Sequence, residues 1–138
     1  MYLLDTNVVS ELRKVPSGRA DARVARWATA HPILHCFLSA VTVKELVYGV
    51  LQVERRDTEQ GKRLRNWLEG VMADFAERVL PVDESVARRA AGLHVPDPAP
   101  EADAYIAASA LTHGLCLVTR NVADFSRFPD LELVNPWT

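Results

Sequence analysis

Tyr2-Leu3-Leu4-Asp5-Thr6-Asn7-Val8-Val9-Ser10-Glu11-Leu12-Arg13 opens the chain with a short apolar run, then an acid, then a helical segment. Tyr2–Leu4 has the character of a strand, and Val8–Arg13 reads as a helix with Thr6 or Asn7 available as its N-cap. Asp5 stands at the junction. The order strand, polar turn, helix recurs downstream. Cys36–Ala40 reads as a buried strand and Val43–Val53 as the helix after it. Leu115–Thr119 reads as another buried strand, followed by the turn Arg120-Asn121-Val122-Ala123 and then Asp124. Strands alternating with helices imply an α/β fold, a mainly parallel sheet covered by helices on both faces. The expected architecture is three-layered α/β/α with four or five strands.

The remaining segments fit that frame. Asp21–Ala30 is helical, with Val24, Trp27 and Ala28 on one face. Asp57–Glu77 is the clearest helix, because Leu64, Trp67, Leu68, Val71, Met72 and Phe75 recur at helical spacing. Val79-Leu80-Pro81-Val82 reads as a short strand and Asp83–Leu93 as a helix. Val95-Pro96-Asp97-Pro98-Ala99-Pro100 cannot be helical, since each proline removes a donor and restrains its predecessor. Glu101–His113 is an Ala-rich helix with Gly114 placed to end it, and Leu131–Val134 is a last short strand.

The 138 residues suit one domain, residues 1–138, and a hydrophobic content of 49% allows a real core. The formal net charge is −2, which is not the basic balance usual in nucleic-acid binders. The charge is uneven, however: residues 1–70 carry 11 Lys/Arg against 8 Asp/Glu, and residues 71–138 carry 5 against 10. Cys36 and Cys116 lie in apolar runs and imply no disulfide. His31, His35, His94 and His113 show no zinc spacing. A charge at Asp5 interrupts any signal-peptide apolar region, and no segment is long and apolar enough to span a membrane. A cytoplasmic location is expected.

In parallel sheets, sites form beyond the carboxyl ends of the strands. Asp5, Glu45, Asp103 and Asp124 fall there or close by. Each also has a purely local explanation. Thr42-Val43-Lys44-Glu45 has the form of a capping box. Asp103 complements a helix dipole. Asn121-x-x-Asp124 can start a short helix, and Asp5 can close a turn. Four carboxylates converging at one sheet edge would repel unless a cation were present. Mg²⁺ or Mn²⁺ supplies that compensation, prefers oxygen ligands and can activate water against a phosphate. The chemistry implied is phosphodiester hydrolysis.

Four stretches, in order, resemble the motifs of PIN-domain ribonucleases, especially the VapC and FitB-like toxins of toxin–antitoxin pairs. They are Leu3–Leu12, Ser39–Gly49, Ala102–Ala108 and Leu117–Phe125. The resemblance implies the PIN fold, a divalent metal and RNA as substrate. It assigns Asp5, Glu45, Asp103 and Asp124 as the catalytic and metal-binding acids. Thr6, Asn7, Thr119 and Asn121 match the supporting polar positions, and Arg120 is the candidate to meet a substrate phosphate. It also implies a homodimer and a VapB-like antitoxin partner. The loop before Asp103 is richer in proline and acid than the family pattern, which makes Glu101 and Asp97 further candidates near the site. The basic stretch Arg55-Arg56 and Lys62-Arg63-x-Arg65 reads as a solvated helix face.

Three other functions compete. A phospho-receiver domain uses a lysine at a late strand, whereas the last lysine here is Lys62. A haloacid-dehalogenase-like phosphatase wants an acid two residues after the first, where Asn7 stands. A catalytically inactive PIN-like protein that only binds a partner is the third, and retention of all four acids speaks against it.

Overall fold

The computed structural model describes all residues, Met1–Thr138. Five strands form the sheet: β1 (Tyr2–Leu4), β2 (Cys36–Ser39), β3 (Val79–Leu80), β4 (Cys116–Val118) and β5 (Leu133–Val134). Their order is β3-β2-β1-β4-β5 and every pairing is parallel. The helices are α1 (Thr6–Leu12), α2 (Ala22–Ala30), α3 (Ala40–Arg56), α4 (Thr58–Asp74), α5 (Glu84–Leu93), α6 (Glu101–His113) and α7 (Val122–Phe125). Short 3-10 turns at Val15–Ser17 and Ile33–His35 add to these. No helix is long and apolar enough to cross a membrane.

Side-chain alternation along the strands divides the core in two. Leu4, Cys36, Leu38 and Val118 face one layer with Val8, Val9, Val24, Leu46, Val50, Leu68 and Phe75. Leu3 and Leu117 face the other with Ile106, Ala107, Ala110, Phe125 and Phe128. Helices α1 to α4 therefore cover one face of the sheet, and α6 and α7 the other. Helix α6 is buried on most sides (Ala104, Ile106, Ala107, Ala108, Ser109 and Ala110), as its near-uniform apolarity requires. Gly114 ends it at φ 64°, a left-handed conformation open to glycine at little cost.

Several boundaries differ from the sequence expectations. The strand expected over Cys36–Ala40 stops at Ser39, whose hydroxyl accepts from the Val41 amide and starts α3 there rather than at Val43. Thr42, expected to cap that helix, lies inside it, fully buried. Asp5, not Thr6 or Asn7, caps α1. The helix expected over Asp57–Glu77 ends at Asp74, and the strand expected over Val79–Val82 ends at Leu80, where Pro81 can donate no ladder hydrogen bond.

Helices α3 and α4 form an antiparallel pair that meets at Gly61. A Cβ there would stand 2.7 Å from the Glu54 Cα, a backbone atom that cannot step aside. Arg65 clamps the same contact through Nε and Nη2 to the Glu54 carboxylate, at 3.1 and 2.7 Å. Gly61→Ala is expected to destabilise the fold by about 1–3 kcal/mol in urea denaturation, despite the better helix propensity of alanine. Gly70→Ala, where a Cβ meets nothing within 4 Å, should leave stability equal or raise it.

Candidate active site

Chain order runs outward from β1 to β2 and β3, then returns to the far side of β1 for β4 and β5. The switch point of the sheet therefore lies between β1 and β4, where a crevice forms beyond the strand ends. Asp5 and Thr119, the first residues past those strands, meet there. The Asp5 amide donates to the Val118 carbonyl at 2.9 Å. The Thr119 hydroxyl, fully buried, donates to Asp5 Oδ2 at 2.8 Å and accepts from the Asn121 amide at 3.0 Å. The Thr6 amide donates to Asp5 Oδ1 at 2.8 Å, and Asn7 Nδ2 to Asp5 Oδ2 at 3.2 Å. Asp5 is only 7% exposed, and three donors hold its carboxylate in one orientation.

The supporting polar residues reach outward from that centre. Thr6 Oγ1 donates to Glu45 Oε1 at 2.7 Å, tying α1 to α3. Glu45 thus bonds a distant hydroxyl and not the backbone at Thr42, so the capping-box explanation is overturned. Helix α3 begins three residues earlier than that box requires, which carries Glu45 past the first turn. Asn7 Oδ1 accepts from the Arg120 amide at 3.2 Å, linking α1 to the turn after β4. Asn121 caps the four-residue helix α7 with its backbone and makes no side-chain cap bond. The Arg120 guanidinium carbon lies 5.2 Å from the Trp137 ring centroid, a cation–π contact that holds it near the C-terminus.

Asp103 is half-buried in the first turn of α6. Its carboxyl is held above the usual carboxylate range, first by burial and then by the charges of Asp5, Asp124 and Glu45. Asp103 therefore feels the other three acids, which come from the end of β1, α3 and α7. The four do not close on a point: no three metal-ligating side chains of the chain gather closely enough to hold an ion. The groove that Glu45 lines includes Thr6 but not Asp5, Asp103 or Asp124. Asp124 on the short α7 is exposed.

The donor set nonetheless suits a hard divalent cation. It is all oxygen, and no Lys, Arg or His approaches any of the four carboxylates within 4 Å. Glu101 and Asp97 are placed differently. Glu101 Oε1 stands 3.4 Å from His94 Nε2, and the Asp97 carbonyl accepts from Arg127 Nη2 at 2.6 Å. Arg127 also donates to the Pro98 carbonyl, so the proline-rich loop before α6 is pinned to the segment that follows α7. Sequence reasoning missed this clamp, since nothing in local spacing announces contacts between segments 30 residues apart.

The model of the PIN domain family matches residues 2–131, and the chain belongs to that family. It is 39% identical to the VapC ribonuclease Y4jK of Sinorhizobium fredii, over 99% of this chain and 98% of that protein. The crystal structure of FitAcB from Neisseria gonorrhoeae superposes with a TM-score of 0.88 at 35% identity, covering 99% of each chain. A toxin–antitoxin complex from Klebsiella pneumoniae superposes with a TM-score of 0.67 at 27% identity, over 99% of this chain and 98% of that one.

The raised Asp103 carboxyl makes the metal-free protein pH-sensitive in a defined direction. A folded-state value above the unfolded one favours folding only while the group can stay protonated, so this contribution is complete below the ordinary value of 3.8 and is lost as pH rises through the raised value. Asp103→Asn is expected to raise the melting temperature of metal-free protein at pH 7, with the gain shrinking towards pH 3.5. Millimolar Mg²⁺ should raise the wild-type melting temperature more than that of the variant. Differential scanning fluorimetry across pH checks both.

Proposed function

We propose that the protein is a metal-dependent endoribonuclease and the toxin of a toxin–antitoxin pair. The observation that carries this reading is the set of four carboxylates at the switch point, unpaired with any cation, three of which raise the Asp103 carboxyl. The names of its relatives support the same reading: one is a ribonuclease and another a toxin–antitoxin complex.

In this reading Asp5, Glu45, Asp103 and Asp124 hold Mg²⁺ or Mn²⁺, which when bound activates a water and neutralises charge developing on the scissile phosphate. The chain's own contribution is orientation. Thr119, Asn7 and the Thr6 amide fix the Asp5 carboxylate, and the Thr6 hydroxyl fixes Glu45. These bonds orient Asp5 and Glu45 before any ligand arrives, and Asp103 and Asp124 would close on the ion as it binds. Arg120, exposed beside Asn7, is the chain's candidate to meet a phosphate of the substrate.

Asp5→Asn tests the assignment, because asparagine keeps the helix cap while removing the charge. Cleavage of total RNA in Mg²⁺ should fall at least 100-fold with the melting temperature within a few degrees of wild type. EDTA should abolish wild-type cleavage and added Mn²⁺ should restore it. Cleavage undiminished in both Asp5→Asn and Asp103→Asn would overturn the site.

The partner reading carries two further expectations. Copies of the chain associate as a homodimer, which multi-angle light scattering at micromolar concentration checks. An antitoxin segment with a basic tip and an apolar stem inhibits by placing its cation among Asp5, Glu45 and Asp103, the stem lying between α3 and α4. Inhibition then weakens as Mg²⁺ rises, because cation and metal compete for the same charge. Inhibition indifferent to metal would mean steric coverage instead.

A further inference from the structure

A groove of about 220 Å³ runs away from the carboxylates along α1, walled by α3 and α4. Thr6, Ser10 and Arg13 line it from α1 and its C-cap, at spacings of four and three that place them on one face. Glu45, Gly49 and Val50 line it from α3, and Leu64 and Trp67 from α4. Past Arg13 the groove continues into a second depression that shares Arg13, Leu64 and Trp67 and adds Gln60 and Arg63. Thr6 touches Glu45 at the near end, and Arg13 lies about 10 Å further along the helix axis.

The far end of the groove has a distinct chemistry. Arg13 and Arg63 are exposed, and neither has a carboxylate within 4 Å. The Arg13 guanidinium carbon sits 5.9 Å from the Trp67 ring centroid, and Trp67 is half-buried against the core beneath it. One unpaired guanidinium group over an anchored indole, with a second lining the same depression, offers what single-stranded nucleic acid needs: cations for phosphates and a flat surface for a base. At this far end, away from Glu45, a peptide's basic residues would meet like charge, whereas a polyanion meets its complement.

We propose that Arg13, Arg63 and Trp67 form a nucleotide subsite that binds the RNA strand beside the scissile bond. Arg13 and Arg63 contact phosphates, and Trp67 with Arg13 stacks a base. The proposal rests on reading RNA as the substrate, but it concerns binding and stands apart from the hydrolytic step. The Arg55-Arg56 pair, which lines a separate depression with Tyr48, Leu51 and Gln52, shares no residue with this groove.

The test uses a fluorescein-labelled, mixed-sequence 12-nucleotide RNA, with binding read by anisotropy in EDTA so that cleavage does not intervene. Arg13→Gln and Arg63→Gln should each weaken binding about fivefold, and each should reduce the slope of log affinity against log salt by about 0.7. Trp67→Phe should keep most of the affinity, and Trp67→Leu should lose about tenfold where its melting temperature shows it folded. Arg89→Gln, on exposed α5, serves as the control and should change nothing beyond general charge. Affinity and salt slope unchanged in the Arg13→Gln, Arg63→Gln double variant would overturn the subsite. So would a double variant that keeps RNA binding but alters binding of a labelled Arg- and Leu-rich peptide, which would make the groove a peptide-docking surface. If the wild type binds the RNA through these residues yet cleaves nothing in Mg²⁺, the subsite stands and the hydrolase reading falls.

Discussion

The hydrogen bond from the Thr119 hydroxyl to the Asp5 carboxylate is the contact on which the rest of the site depends. It joins the end of the central strand β1 to that of its neighbour β4, at the point where the chain reverses its direction across the sheet. It is buried, so its loss leaves a charged group short of a donor in a place water reaches poorly, which costs about 1.5–3 kcal/mol. Every other polar contact of the site connects to it within a step or two. Asn7 and the Thr6 amide share Asp5, the Thr6 hydroxyl holds Glu45, Asn7 holds the Arg120 amide, and Thr119 itself receives the Asn121 amide.

Asp5 thereby serves two physical roles at once. As the cap of α1 its side chain accepts the Thr6 amide, and as the end of β1 it receives the Thr119 hydroxyl. Asp103 stands in the opposite situation, half-buried with three like charges around it and its carboxyl pushed up. Two carboxylates in one cluster are thus set apart by what surrounds them: hydrogen-bond donors for one, burial and repulsion for the other.

Much of this was legible in the sequence because the relevant signals are short-range. Alternation of apolar strands with helices, the acids just past Leu4 and near Ser39 and Val118, and Gly114 as a helix terminator each depend on a few neighbouring residues. The parallel sheet and the carboxyl-end rule then located the site. What stayed hidden was set by contacts distant in sequence. Thr42-x-x-Glu45 has the form of a capping box, and only the hydroxyl of Thr6, 39 residues away, explains where the Glu45 carboxylate goes. The meeting of Arg13 with Trp67 is invisible to periodicity, which assigns Trp67 to the core stripe of α4 and stops there. The end of α4 was overestimated for a related reason: Phe75 keeps the apolar rhythm of the helix although its backbone has already left helical geometry at φ −104°, ψ 12°.

The two outermost strands, β3 and β5, are only two residues long each. A margin that short exposes few free amides and carbonyls along its edge, so a foreign strand finds almost no ladder to extend. The sheet is closed to growth on both sides without being a barrel. Lasting contact with another polypeptide is therefore left to surfaces other than the sheet edge, where side chains decide the fit. Recognition is then specific to particular residues, and the backbone-driven stickiness that open sheets carry is largely absent from this molecule.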